Sequence, residues 1–398
     1  MSWPFEQIRA WLSKKRADVI EQDDLGPLPA AIAHQIDQKL QASGIHPTYR
    51  HHLLTVLDQH LAAWQADNPT ANSLAILHSP VEALTPILQH TLQHWPAAAN
   101  YRLHFLPLEV RPNQTDDISQ LLETARSQIL TELSLQPSSD RPSIVIIPRL
   151  DVYFLRCIGG WQAIEQLRDM VTADLSRFWL IGCNGWAWTY FDIVCQIEAY
   201  LEQTTQLPEL DGEQIQNWLQ PLLKSLDGPI HHATKRTQST ESSSPAEKAA
   251  ALYADLANIS HGISSVAVQL WWRSLGYELN TPEQDEATSP APPAEADIAK
   301  LFQVGHLKQQ RPSYPEMPNL SAIEDYLIYS VLLHGSVTVA QLAISLGELE
   351  GQVRAQVQKL LRQGILRNQD GMITVAPAYY PKLHDRLRQN NFVIGGDR

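Results

Sequence analysis

Ser73-Leu74-Ala75-Ile76-Leu77-His78, followed by Ser79-Pro80-Val81-Glu82-Ala83-Leu84-Thr85, is the stretch on which the fold turns. The first six residues lack the polar alternation of a half-solvated strand and suit one covered on both faces. From Val81 to His94 the apolar spacing becomes helical. The same change of period recurs downstream. Tyr101–Leu108, Ile144–Ile147 and Phe178–Gly182 read as strands, and Asp117–Leu133 and Trp161–Leu175 as the helices between them. Strands alternating with helices imply βαβ units, hence an α/β fold with a three-layer parallel sheet.

Outward from this core the pattern is helical on both sides. Residues 1–70 form a helical N-terminal segment. Its first helix has an apolar side of Trp3, Phe5, Ile8, Trp11 and Leu12, followed by Lys14-Lys15-Arg16. Beyond about 185 the strands are expected to stop. Helical patterns cover Trp188–Glu202, Asp211–Leu226, Pro245–Asn258 and Ser264–Leu275, with polar stretches at His232–Ser244 and Asn280–Asp297 read as loops or linkers. The C-terminal part predicts helices at Ile323–Leu333, Val339–Leu346 and Glu350–Gln363. A hairpin about Asp370-Gly371 follows. Three helices and a hairpin make a winged-helix arrangement. The expected division is 1–70 helical, 71–206 α/β, 207–279 helical lid, 280–320 linker and 321–398 winged helix.

Composition narrows the function classes. Of 398 residues, 44% are hydrophobic and 18% charged, as in soluble globular proteins. Lys plus Arg number 30 against 43 for Asp plus Glu, a net charge of −13. That balance argues against sequence-blind binding of nucleic acid or anionic lipid. No apolar run reaches the roughly 18–20 residues of a transmembrane segment, and the N-terminus lacks a secretion-signal core. Three cysteines, with no CxxC pair, argue against a disulfide framework or structural zinc and for a cytoplasmic location.

The order of elements, with a helical lid and a C-terminal winged helix, resembles the AAA+ and STAND P-loop ATPases, the origin-recognition type most closely, over about 70–398. The resemblance implies a nucleotide site after the first strand, an acidic pair after the third and a polar sensor after the fourth. A phosphate loop needs glycines so that backbone N–H groups can wrap the phosphate, and a Lys for its charge. Ser79–Thr85 has neither. Ser79 and Glu82 read instead as a capping box with Pro80 at the first helical position, and Glu82 adds negative charge where phosphate would sit. Pro148 and Arg149 stand where the acidic pair belongs, and the nearest acid, Asp151, is expected to cap the turn or pair with Arg149 or Arg156. Asn184 falls at the sensor position, with Gly182 and Gly185 read as a tight loop. Arg273 is the only Arg on the last lid helix and reads as a solvated or ion-paired residue. Ser79, Glu82, Thr85, Pro148, Arg149, Asp151, Asn184 and Arg273 thus form a degenerate nucleotide site. These departures from the family's motifs, and not the resemblance itself, lead to the expectation of no catalytic residue, no metal and no cofactor, ATP and Mg²⁺ not being expected.

Other signals are weaker. His90 and His94 share a helix face without a third ligand, and His51, His52 and His60 read as surface residues. Cys157 and Cys183 read as buried small hydrophobes. Trp186 and Trp188 suit either core packing or anchors at a protein interface. Trp3, Phe5 and Trp11 are interface candidates, for a partner helix or peripheral membrane contact. Arg354, Lys359 and Arg362 could face DNA, but residues 321–398 carry eight Lys/Arg against seven Asp/Glu, so protein contact is favoured over nucleic acid. The expectation is a catalytically inactive ATPase-like scaffold or regulator with a protein partner or a homo-oligomeric state. The rivals are an active ATPase with an atypical phosphate loop and a winged-helix DNA-binding regulator.

Overall fold

The computed structural model describes residues 26–66, 72–106, 141–201, 203–224, 230–232, 245–279 and 305–395, with short stretches at 111–112, 117–118 and 122–124 and residues 120, 127 and 226. Trp3, Phe5 and Trp11, and most of the two polar stretches, lie outside the described residues. The chain divides into two compact units, Met1–His46 with Glu209–Glu316, and Pro47–Pro208 with Met317–Arg398.

The second unit carries the α/β sheet. In chain order it contains α1 (Pro47–Gln65), β1 (Ser73–His78), α2 (Leu84–Gln93), β2 (Arg102–Phe105), β3 (Ser143–Ile147), α3 (Gln162–Ala173), β4 (Phe178–Asn184), α4 (Gly185–Cys195) and β5 (Thr204–Gln206). The strand order is β2-β3-β4-β1-β5. Every pairing is parallel, with Ser73 opposite Trp179 and His78 opposite Asn184. β3 and β4 are buried at every position, which is why their sequences are continuous apolar runs. A parallel sheet puts all its carboxyl ends on one edge, where open α/β sheets bind ligands.

Three expectations need correction here. Ser79–Glu82 is not a helix cap: the Glu82 N–H donates to the Ser79 carbonyl at 2.9 Å, closing a turn. α2 begins only at Leu84, after Ala83, without a side-chain cap. Proline favours the second position of a β-turn for the same fixed φ that favours a helix start, so the string fits both. Gly182 lies within β4 rather than in a loop. A Cβ there would stand 2.3 Å from the Pro148 carbonyl oxygen and 2.6 Å from Leu84 Cδ2, so it permits a close approach. Strands do not stop at 185. α4 ends at Cys195 with Gln196 in the left-handed region (φ 52°), and β5 follows as a three-residue polar edge strand, too short to leave a periodic signal.

The same unit continues with α5 (Ala322–His334), α6 (Val339–Leu346), α7 (Glu350–Arg362), β6 (Leu366–Gln369) and β7 (Met372–Val375). The elements follow the order the sequence leads one to expect. Ser321 with Glu324 and Thr338 with Gln341 form capping boxes that start α5 and α6. Asp370 and Gly371 both have positive φ, 50° and 86°, as a two-residue type I′ hairpin requires. A further helix, α8 (Tyr380–Gln389), was not expected. α5 is buried at every position from Leu327 to His334, and only Ala322, Ile323 and Tyr326 in its first turns are exposed.

The first unit holds helices Ala30–Ser43, Gly212–Lys224, Pro245–Ser260 and Ser264–Arg273. Its small sheet places Gly305–Gln309 between Ile230–His232, which runs parallel to it, and the antiparallel Leu275–Leu279. Ile32, Ile36 and Leu40 make one buried stripe at helical spacing. Gly212 lets its helix approach the neighbour closely, since a Cβ would lie 2.8 Å from Ala254 Cα. Among the described residues no helix is long and apolar enough to cross a membrane.

Candidate functional site

The carboxyl ends of β1, β3 and β4 open on one edge of the sheet, and each delivers a polar residue there. β4 ends in Asn184, which is 1% exposed. Its Oδ1 accepts the Trp186 N–H at 3.0 Å and so starts α4. Its Nδ2 points the other way and donates to the carbonyls of Leu332 (2.6 Å) and Leu333 (3.2 Å). Both belong to the last turn of α5, whose carbonyls have no partner within the helix.

β3 runs into Pro148 and Arg149 and then a buried 3₁₀ turn, Leu150–Tyr153. Arg149 Nη2 donates to Asp151 Oδ2 at 2.5 Å and to the His334 carbonyl at 3.3 Å, and Nη1 reaches Ser336 Oγ at 3.2 Å. Pairing of Asp151 with Arg149 is one of the two roles the sequence suggests for this acid.

A second guanidinium completes the arrangement. Arg111, 3% exposed, donates to four carbonyls: Phe154 (2.5 Å), Asp151 (2.5 Å), Ser336 (2.7 Å) and His334 (3.1 Å). Gln341 of α6 holds the Arg111 carbonyl in turn at 2.7 Å. The negative end of the α5 dipole therefore meets two guanidinium groups and an amide. Gly335 makes room for this. Its φ is 70°, and a Cβ would lie 3.2 Å from Arg149 Nη2.

The electrostatics agree with a closed seam. Burial pushes the Asp151 carboxyl up, but Arg149, by charge and hydrogen bond, and then Arg111 and His78 hold it below its ordinary value. Burial pulls Arg111 down to about 9, opposed by Asp151 and reinforced by Arg149, which leaves it charged at neutral pH. On the β1 side, His78 Nδ1 lies 2.8 Å from the Ser79 carbonyl, and burial lowers its pKa. The carbonyls of Ser79 and Glu82 both act on this imidazole. The turn that replaces a phosphate loop thus aims oxygens inward, where an anion would need N–H groups.

α8 closes the same edge. The Trp186 indole N–H donates to the Tyr380 hydroxyl at 3.2 Å. A Cβ on Gly395 would lie 2.3 Å from the Gly185 carbonyl oxygen, so the C-terminal strand of chain rests directly on the start of α4.

Of the residues singled out from sequence, Pro148, Arg149, Asp151 and Asn184 converge here. Ser79 and Glu82 sit on the adjacent turn and Thr85 in the first turn of α2. Arg273 belongs to the other unit, at the end of Ser264–Arg273. Trp186 and Trp188, taken as interface candidates, are each 1% exposed and packed inside their own unit, so they offer no surface to a partner. Arg354 pairs with Glu350 one turn away, Lys359 pairs with the buried Glu324 at 2.7 Å, and Arg362 is exposed. Cys183 is buried and Cys157 half-buried. His90 and His94 have ring centroids 4.3 Å apart, and among the described residues no group of three or more His, Cys, Asp or Glu could hold a metal ion. Sequence reasoning missed Arg111, His334 and Gln341. Arg111 sits in a polar stretch without periodicity, and nothing local marks it. A Gly after the helical pattern was a legible sign that α5 ends at 335.

No family model and no curated protein sequence matches the chain. Among solved structures it is similar to Cdc6p from Pyrobaculum aerophilum, at 10% identity over 87% of this chain and 95% of that one, with a TM-score of 0.37. The Aeropyrum pernix ORC1 protein in complex with DNA gives 10% identity, 88% and 94% coverage, and a TM-score of 0.34. The Thermotoga maritima RuvB Holliday junction branch migration motor gives 14%, 82%, 93% and 0.29. These neighbours are AAA+ ATPases, the group that the element order resembles.

Proposed function

We propose that the chain is a catalytically inactive, ATPase-like scaffold or regulator that acts in the cytoplasm through protein contacts, as a homo-oligomer or beside a protein partner. One observation carries this reading. The groups at the carboxyl edge of the sheet that would face a nucleotide are engaged within the chain: Arg149 and Asn184 on the carbonyls of α5, and Asp151 through Oδ2 on Arg149, its Oδ1 being buried without a hydrogen-bond partner. Arg111 is spent in the same way. The turn after β1 supports it by directing carbonyl oxygens inward. The C-terminal helices and hairpin, read as a winged helix, then act as a built-in plug rather than as a DNA reader. Two of the three basic residues of α7 already neutralise Glu350 and Glu324.

Calorimetric titration with ATP and with ADP, with and without Mg²⁺, tests the reading. The expected outcome is no heat at millimolar nucleotide and no phosphate release. Micromolar binding would overturn it and move the atypical ATPase into its place.

A further inference from the structure

We propose that the seam between the sheet and α5 is a proton-sensitive latch, in which protonation of His334 releases the C-terminal helices while the sheet stays folded. His334 is the last residue of α5 and is 0% exposed. Its Nδ1–H donates to the Ser330 carbonyl at 2.6 Å within the helix. Its Nε2 accepts the backbone N–H of Arg156 at 3.0 Å, across the seam. One nitrogen must donate and the other must accept, so the closed seam admits only the neutral tautomer. The ring also stacks on Phe154, with centroids 4.8 Å apart and planes 12° from parallel.

The charged groups facing it are mostly of its future sign. The loop after β3 presents Arg149, Asp151 and Arg156, and the segment before it presents Arg111. α6 contributes the uncharged Gln341, and His78 stands behind Asp151 on the β1 side. Asp151 is already engaged by Arg149. A proton on Nε2 would remove the acceptor for the Arg156 N–H and add a further cation beside Arg111 and Arg156. Burial, then Arg111, oppose that proton, and the imidazole sits well below its ordinary value in the closed form. In the open form the ring is solvated and titrates normally, at about 6.5. The open form then binds more protons, so falling pH favours opening. Once released, the Ser330 bond stays within α5 and the Arg156 bond is lost.

The latch rests on the seam geometry and does not depend on whether nucleotide binds, so it and the scaffold reading fail separately. The test is hydrogen–deuterium exchange of the full chain between pH 7.5 and 5, corrected for intrinsic rates. Exchange of residues 322–336 should rise about tenfold per pH unit below about 6.5, while β3 (143–147) stays protected. His334→Gln keeps a neutral acceptor and should flatten the rise. Simultaneous opening of 143–147, a rise that persists in His334→Gln, or no rise at all would each overturn the latch. Should that variant not fold, the His334 ring is followed in the native protein by NMR of histidine-labelled protein. A single Nδ1–H tautomer until opening begins supports the latch, and titration near 6.5 within the closed form sinks it.

Discussion

Asn184 uses both ends of its amide, one to start α4 and one to finish α5. Asp151 is comparable: it is 1% exposed and sits between two guanidinium groups, its carboxylate on Arg149 and its carbonyl on Arg111. Removing one partner of a buried ion pair leaves the other uncompensated, at a cost of about 3–5 kcal/mol. Asp151→Asn preserves shape and removes only the charge, so it should lower unfolding stability by about 3 kcal/mol in urea denaturation. An Asp poised for metal or phosphate, and not for packing, would leave stability unchanged or raise it on neutralisation. The sequence pointed to Arg149, Asp151 and Asn184 because strand ends are visible as changes of period. It also pointed to the pairing of Asp151 with Arg149, but not to the α5 carbonyls that Arg149 and Asn184 hold, because those lie 148 to 185 residues away and carry no side-chain signature.

At the scale of elements, α5 and α7 are tied by one ion pair. Glu324, wholly buried, receives Lys359 Nζ at 2.7 Å and caps the start of α5 through Ser321. Burial raises its pKa, and Lys359 and Ser321 more than offset that, leaving the carboxyl below its ordinary value. A depressed carboxyl contributes stability above its unfolded pKa, and that stability is lost as pH falls through its folded value. Lys359→Ala should cost about 1–2 kcal/mol at neutral pH, since Lys359 is half exposed and the pair is partly screened. It should also start the acid loss at higher pH, as thermal melts between pH 3 and 7 would register. The helices α5, α6 and α7 and the hairpin were legible because caps, a positive-φ Asp-Gly turn and apolar spacing all agree. α8 was not, because Tyr380–Gln389 is mostly polar and its buried side is only Tyr380, Pro381, Leu383 and Leu387. The small sheet of the other unit was hidden for a different reason: its strands are three to five residues long and two of them lie far apart in sequence.

For the molecule as a whole, the α/β layer and the C-terminal helices share one core. Trp186 packs against Tyr329, Tyr380 and His384, and Phe154 against His334. A chain ended after Glu316 would expose Trp186 and Phe154, strip Arg111 of the Ser336 and His334 carbonyls and leave Asn184 Nδ2 without its acceptors. Each buried polar group stripped of its partner costs about 1–3 kcal/mol. Such a truncation should keep its sheet but bind a hydrophobic dye such as ANS, and a dye-negative product would contradict a shared core. The edge of the sheet also has a history within synthesis. Its floor is complete once Asn184 has emerged, but the carbonyls that cover it follow 148 residues later at Leu332. At 5–20 residues per second that interval is about 7–30 s. For that interval Arg149 and Asn184 stand without the α5 carbonyls that hold them in the folded chain.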